Sequence, residues 1–240
     1  MALQLRVQGS LASTDSVQLL ADAMSQLSGF PIVATRSTSD LAHWRALASG
    51  EVVSAVLEEA QFIDYRVRER GFTAVARARR DARFAVVVAP HTLVSSLTDL
   101  RTRRLAVRAP PSLAALRIHE LFPDPLLAPV LVTLPAGVDG ASWVVSGRVD
   151  AAMLTLEEGE AARGARIVLV TDALPGAGLA LAPGVDAARR LALIRALTGL
   201  ARTASGRRAL QALDVEAFDP ATDEAFEGAA RLLRGTWPAY

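Results

Sequence analysis

Short apolar runs alternate with amphipathic segments along most of this chain, and that alternation most restricts what it can fold into. Leu3 to Val7 alternates apolar and polar residues, and "PIVATRST", "SAVLEE" and "TAVARA" repeat the strand signal. Between them, "DSVQLLADAMSQLSG", "SDLAHWRALASG" and "AQFIDYRVRERG" carry apolar residues at helical spacing and stop at Gly29, Gly50 and Gly71. Glycines at such places act as left-handed C-caps. Strand and helix in regular order predict an α/β fold with doubly wound, mostly parallel sheets. The alternation restarts at "RFAVVVAP" and runs through "RRLAVRAP", "PSLAALRIHELF", "APVLVTLP", "GASWVVSGRVDAAMLTL" and "ARIVLVTDALP". Two α/β units in succession are therefore expected. "GAGLALAP" reads as a strand, and everything after Pro183 reads as helix, ending in "DEAFEGAARLLRGT".

Composition narrows the function classes. With 240 residues, 51% hydrophobic and 21% charged, the chain can bury a sizeable core. The net charge is +1 and the basic residues are scattered among acids, so nucleic acid is not an expected partner. All 26 basic residues are Arg, so any cationic contact to an anion comes from a guanidinium able to bind in bidentate fashion. Cys is absent, which removes disulfides, thiolate metal sites and cysteine nucleophiles. No apolar stretch approaches the roughly 18 residues that span a bilayer. No Gly-x-Ser-x-Gly elbow, His-Glu-x-x-His pair or phosphate loop occurs, so no catalytic function is expected. Three separated His without Cys do not suggest a zinc or other transition-metal site, and no cofactor is expected.

Four motifs carry a family resemblance. "LASGEVVSAVLEEAQFIDYR" resembles a Gly-Glu-Val-Asp strand followed by a helix with an aromatic, and "SSLTDLRTRRLAV" resembles a Ser-Leu-x-Asp-Leu-Arg-Gly-Lys entry into a second lobe. "VVSGRVDAAML" is similar to a Val-x-x-Gly-x-Val-Asp-Ala junction, and "SGRRALQALDVEAFDPATDEAF" resembles C-terminal helices that pack back on a first lobe. In this order they resemble the type II periplasmic substrate-binding proteins, specifically the branch with the phosphate-, phosphonate- and phosphite-binding components of ABC importers. The resemblance implies residues 1–82 and 182–240 as lobe 1 and 83–181 as lobe 2, with a ligand cleft between them. It implies a monomer that captures a small polar solute by hinge closure and delivers it to ABC transporter membrane subunits. The alternative is a sensor or accessory module of the same fold that serves a signalling, redox or metal partner. The resemblance also implies a periplasmic protein whose secretion signal has been removed. A fold-mate enzyme is a third and weaker reading.

The chain departs from that branch at the third strand. Where small polar groups usually meet an anion stands "EEAQ", and a His common at a later helix start has no counterpart near Gly137. These departures argue against a simple phosphate-type ligand. Glu58 and Glu59 stand at the end of an apolar strand, where open α/β sheets place their ligands. Adjacent on a strand end, they point in roughly opposite directions, so one of them faces a cleft. Alternatively both favour the following helix through its dipole, by about 0.3–1 kcal/mol. Tyr65 presents a candidate hydroxyl one turn from Phe62. Gly9, Ser10 and Ser13 follow the first strand, where backbone amides and hydroxyls hold polar groups. Ser112 occupies the equivalent place in the second unit, and Thr155 and Glu157 stand where Glu58 stands in the first. His91 and Thr92 follow the strand "FAVVVAP". His43 and His119 read as structural, Trp44 and Trp143 as packing, and Asp64 and Arg66 as solvated or ion-paired.

Overall fold

The computed structural model describes residues 2–135 and 137–233. It divides into two compact units, Met1–Asp81 with Leu174–Tyr240, and Ala82–Ala173. No helix among the described residues is long and apolar enough to cross a membrane.

The first unit is built on β1 (Leu3–Val7), β2 (Ile32–Arg36), β3 (Ala55–Glu58), β4 (Thr73–Ala78), β10 (Gly178–Leu181) and β11 (Phe218–Pro220), in the order β11-β4-β10-β3-β1-β2. β1 pairs parallel with β2 and β3, so the three strands end on the same edge of the sheet. α1 (Thr14–Ser28), α2 (Asp40–Ala48) and α3 (Ala60–Arg70) connect the first four strands. Successive strand residues point to opposite faces. Leu57, Leu179 and Leu181 join a core with Leu20 and Met24 of α1, Leu193 and Leu197 of α7 (Ala187–Gly199) and Leu210 of α8 (Ala204–Ala212). Their neighbours Val56 and Ala180 face the other way, against Ile63 of α3 and Phe226. Both faces are covered, which is why these strands read as nearly continuous apolar runs.

The second unit orders β5 (Phe84–Val88), β6 (Arg104–Arg108), β7 (Val130–Leu134), β8 (Ala151–Thr155) and β9 (Arg166–Val170) as β7-β6-β8-β5-β9. α4 (Leu113–Leu121), α5 (Gly140–Val145) and α6 (Leu156–Ala161) supply its helices. Its order repeats that of the first sheet, with β6, β7 and β8 in the places of β1, β2 and β3. In each sheet one antiparallel strand is inserted beside the third, β10 in the first and β5 in the second.

Three expectations are corrected. The sheets are mixed: β10 runs antiparallel to β3 and β4, and β5 runs antiparallel to β8 and β9. The boundary expected at 181/182 left β10 in the second unit, yet β10 is hydrogen-bonded between β3 and β4 of the first. The segment after Pro183 is also not all helical. β11 pairs antiparallel with β4, and Asp223–Phe226 and Ala229–Leu233 are 3-10 turns, not one α-helix. Pro220 cannot continue a helix, and Gly228 at φ +84° separates the two turns. Residues 234–236 of the expected helix lie outside the described residues.

β10 requires a glycine at its start. A Cβ on Gly178 would lie 2.4 Å from Cζ of Phe226, a ring that is fully buried. Gly178→Ala should displace that ring and cost about 1–3 kcal/mol. Gly199, which has open space around its Cα, serves as the control: Gly199→Ala should be neutral or stabilising by up to about 1 kcal/mol. Urea unfolding midpoints of the two variants check both outcomes.

Candidate functional site

The carboxyl ends of β1, β2 and β3 bring two polar layers together in the first unit. The inner layer is buried. Ser37, just past β2, meets Nδ1 of His43 through its hydroxyl at 2.9 Å, and His43 Nε2 meets Oε2 of Glu58. The other carboxylate oxygen of Glu58 accepts from Nε of Arg66 at 2.7 Å. Ser37, His43, Glu58 and Arg66 are all at most 4% exposed. One carboxylate thus ties the end of β3 to α2 through His43 and to α3 through Arg66. Burial pushes the Glu58 pKa up. The charge of Arg66 and the hydrogen bond from His43 outweigh that effect and hold it below the ordinary glutamate value. Phe62 closes the His43 side with an edge-on ring at 5.4 Å, and Phe72 lies under the Arg66 guanidinium at 5.1 Å.

The outer layer is partly open to solvent. Gln8, buried just past β1, donates from Nε2 to Ser10 Oγ (2.9 Å), Asp40 Oδ1 (3.1 Å) and Glu59 Oε2 (2.9 Å). Its carbonyl accepts from the Glu59 backbone N–H at 2.8 Å. The Ser10 backbone N–H also donates to Asp40 Oδ1, and Gln61 Nε2 to Glu59 Oε2. An amide nitrogen carries two protons, so it cannot satisfy three acceptors fully at once. Asp40 and Glu59 are half-buried, and each has an oxygen within 3.1 Å of the same neutral donor. The arrangement accepts hydrogen bonds and carries negative charge, which suits a donor-bearing or cationic group. Among the described residues, no group of three or more His or acidic side chains is placed to hold a metal ion.

Glu58 and Glu59 divide as adjacent strand-end residues must, but the inward one does not reach a solute. Glu58 is fully enclosed and both its oxygens are engaged. Neither acid caps α3 through its side chain: Glu59 occupies the N-cap position without a side-chain cap bond. Ser10 joins the outer layer. Gly9 lies beneath it, where a Cβ would sit 2.5 Å from the Ser37 carbonyl oxygen. Ser13 caps α1 by accepting from the Ser16 N–H. Tyr65 is half-buried and packs edge-on against Trp44 at 5.1 Å. Arg66 and Asp64, expected at the surface or in ion pairs, are buried and paired, Asp64 with Arg68 at 2.7 Å.

In the second unit, Ser112 is buried and caps α4, accepting from the Ala115 N–H while its hydroxyl donates to the Arg108 carbonyl. Thr155 forms a reciprocal capping box with Glu158 at the start of α6, and Arg108 pairs with Glu158 at 2.7 Å. Glu157 is exposed in that first turn. His91 is exposed, and Thr92 closes a turn back to the Ala89 carbonyl. Gln8, Ser37 and Asp40 were not singled out from the sequence. Their signal was position alone, directly after β1 and β2 and at the first residue of α2.

The family model of periplasmic substrate-binding proteins of phosphonate ABC transporters matches residues 8–226. No curated protein sequence matches. A Xanthomonas citri protein solved with ATP is 19% identical, with a TM-score of 0.77 over 96% of this chain and 98% of that one. PhnD1 of Prochlorococcus marinus, solved with methylphosphonate, is 12% identical at a TM-score of 0.78, over 97% of each chain. The binding-protein component of a phosphonate ABC transporter from Pseudomonas aeruginosa is 15% identical at a TM-score of 0.74, over 96% of this chain and 85% of that one. At these identities the three structures share the fold.

Removing the Glu58 carboxylate leaves Arg66 buried without its partner, so Glu58→Ala should cost about 3–5 kcal/mol. Because the native carboxyl titrates below its ordinary value of about 4.3, its contribution is complete above that pH. It is lost as pH falls through the depressed native value. Urea midpoints followed from neutral pH downward should therefore fall more steeply for the wild type than for Glu58→Gln.

Proposed function

The chain belongs to the family of periplasmic substrate-binding proteins of phosphonate ABC transporters, and from that premise we propose that it captures a small polar solute other than simple phosphate and delivers it to an importer's membrane subunits. The observation that carries this reading is the convergence of Asp40 and Glu59 on the Gln8 amide, at the carboxyl ends of β1 and β3. That edge of an open α/β sheet is where ligands are received. A bare oxyanion arriving there meets two carboxylates, and like charges 4 Å apart near a protein surface repel by about 4 kcal/mol. A hydroxyl, amine or ammonium group instead brings a donor to two carboxylates whose shared neighbour is a neutral amide. Ser10, Asp40 and Glu59 are the residues we assign to that contact, with Gln8 holding them in place. Glu58 and His43 support them from beneath without touching solute.

Thermal shift tests the reading with phosphate, phosphonates, sulfonates, amino acids, polyamines and carboxylates as probes. A solute at about 100 times its Kd adds roughly 2.7 kcal/mol of stability. The expected result is a rise in Tm with a donor-bearing or cationic solute. Glu59→Gln and Asp40→Asn should lose that rise while keeping the unliganded Tm near wild type. A rise with phosphate alone, unchanged in Glu59→Gln, overturns it.

A further inference from the structure

The turn that carries Ser10 is held between two charged side chains. The Leu11 N–H returns to the Gln8 carbonyl at 3.2 Å, so Gly9 and Ser10 form a tip directly after β1. Gly9 lets this tip settle onto the segment after β2, because a Cβ there would also stand 3.3 Å from the Ser39 backbone. Arg36, the last residue of β2, lies opposite Val7 of β1. Its Nε donates to the Ala12 carbonyl, and its Nη2 donates to the Gly9 carbonyl at 2.6 Å. These two nitrogens lie on one edge of the guanidinium, so a single planar fork grips both ends of residues 9–12. Among the described residues its partners are both main-chain carbonyls, not carboxylates. The peptide whose carbonyl Arg36 holds gives its N–H, that of Ser10, to Asp40 Oδ1 at 3.2 Å. One peptide thus has a cation at its carbonyl and an anion at its N–H, each at the pole that suits it.

We propose that Arg36 is a positioning residue for solute: by gripping residues 9–12 it keeps the Ser10 hydroxyl beside Asp40 and Glu59. The proposal rests on the contact assigned to those three residues. Ser10 Oγ lies 2.9 Å from Gln8 Nε2, but the same amide has Asp40 and Glu59 within 3.1 Å, so its two protons alone do not fix the hydroxyl. The role is geometric, and its sign separates it from charge. Arg36 adds positive charge beside a site suited to a cationic group, so on charge alone its loss favours a cation. On geometry its loss releases the turn and weakens the same binding. A lysine keeps the charge but presents a compact ammonium in place of the fork, so it does not hold both carbonyls as Arg36 does.

Backbone ¹⁵N relaxation and calorimetric titration with putrescine, on the full chain and on Arg36→Gln and Arg36→Lys, test the role. The Ser10 order parameter should fall from about 0.85 in the wild type to below about 0.6 in both variants. The Gln8 amide, bonded to the Leu57 carbonyl, should keep its wild-type value and serve as the internal control. Putrescine should bind both variants about tenfold more weakly, the loss expected when one hydrogen-bonding group is no longer held in place. An unchanged Ser10 order parameter in Arg36→Gln, wild-type behaviour in Arg36→Lys, or tighter putrescine binding in Arg36→Gln overturns the proposal. If putrescine binds none of the three proteins, the contact at Asp40 and Glu59 is what fails, and the Ser10 order parameter still decides whether Arg36 holds the turn.

Discussion

The first unit depends on one buried charge. Glu58 is an ionised carboxylate with no exposed surface, a state that is costly unless each oxygen has a strong partner. Its two partners come from different helices, His43 from α2 and Arg66 from α3. The end of β3, the start of α3 and the face of α2 are therefore mutually fixed, because moving any one of them uncovers a charge. A buried pair of this kind adds little net stability compared with apolar packing, but it penalises misplacement heavily. Geometry at the strand ends is what a binding site needs fixed. Glu59 follows Glu58 by one peptide, and Asp40 precedes His43 by one helical turn. Both outer carboxylates thus inherit their positions from the inner network.

The alternation of apolar runs made both α/β units readable, because central strands such as β3, β5 and β10 are buried on both faces and α1 and α3 stop at left-handed glycines. The inserted strand β10 was readable as a strand but not as a member of the first sheet. Its partners β3 and β4 lie more than 90 residues earlier, and nothing in "GLAL" states which sheet it completes. β11 and the 3-10 turns were hidden for a different reason. "DEAFEGAARLL" has a helix-forming composition, but Gly228 and the packing of Phe226 against Gly178 hold it in separate turns. Here tertiary contact overrides local preference. At the site, the paired acids were visible and their opposite directions followed from strand geometry. Which one turns inward depends on His43 and Arg66, whose approach only the folded chain brings about.

The two units share a strand order but fill the equivalent strand ends differently. In the second unit, Ser112 and Thr155 spend their hydroxyls on helix caps, and Glu158 answers Thr155 and Arg108. Those polar groups are largely paired with one another and with the backbone. In the first unit, three acceptors surround a single amide nitrogen, and two of them are carboxylates. A shared topology therefore carries different chemistry at the two ends, helix caps in one and two carboxylates gathered on a neutral amide in the other.

An arginine-only chain also shapes how the inner network is built. Arg66 gives Nε to Glu58 while its guanidinium carbon sits over the Phe72 ring, two contacts that suit a flat, weakly hydrated cation. A lysine ammonium at the same depth would present a compact, strongly hydrated charge and no face to stack. Phe62 extends the apolar lining on the other side, touching both His43 and Trp44, and Trp44 in turn meets Tyr65. The polar chain from Ser37 to Arg66 is thus sheathed in aromatic rings that exclude water from its hydrogen bonds. Exclusion of water strengthens each of those bonds and raises the cost of breaking any one of them. Among the same rings the Trp44 indole N–H is enclosed without an acceptor. Enclosing the inner charges and leaving that indole unpartnered are therefore consequences of one packing arrangement.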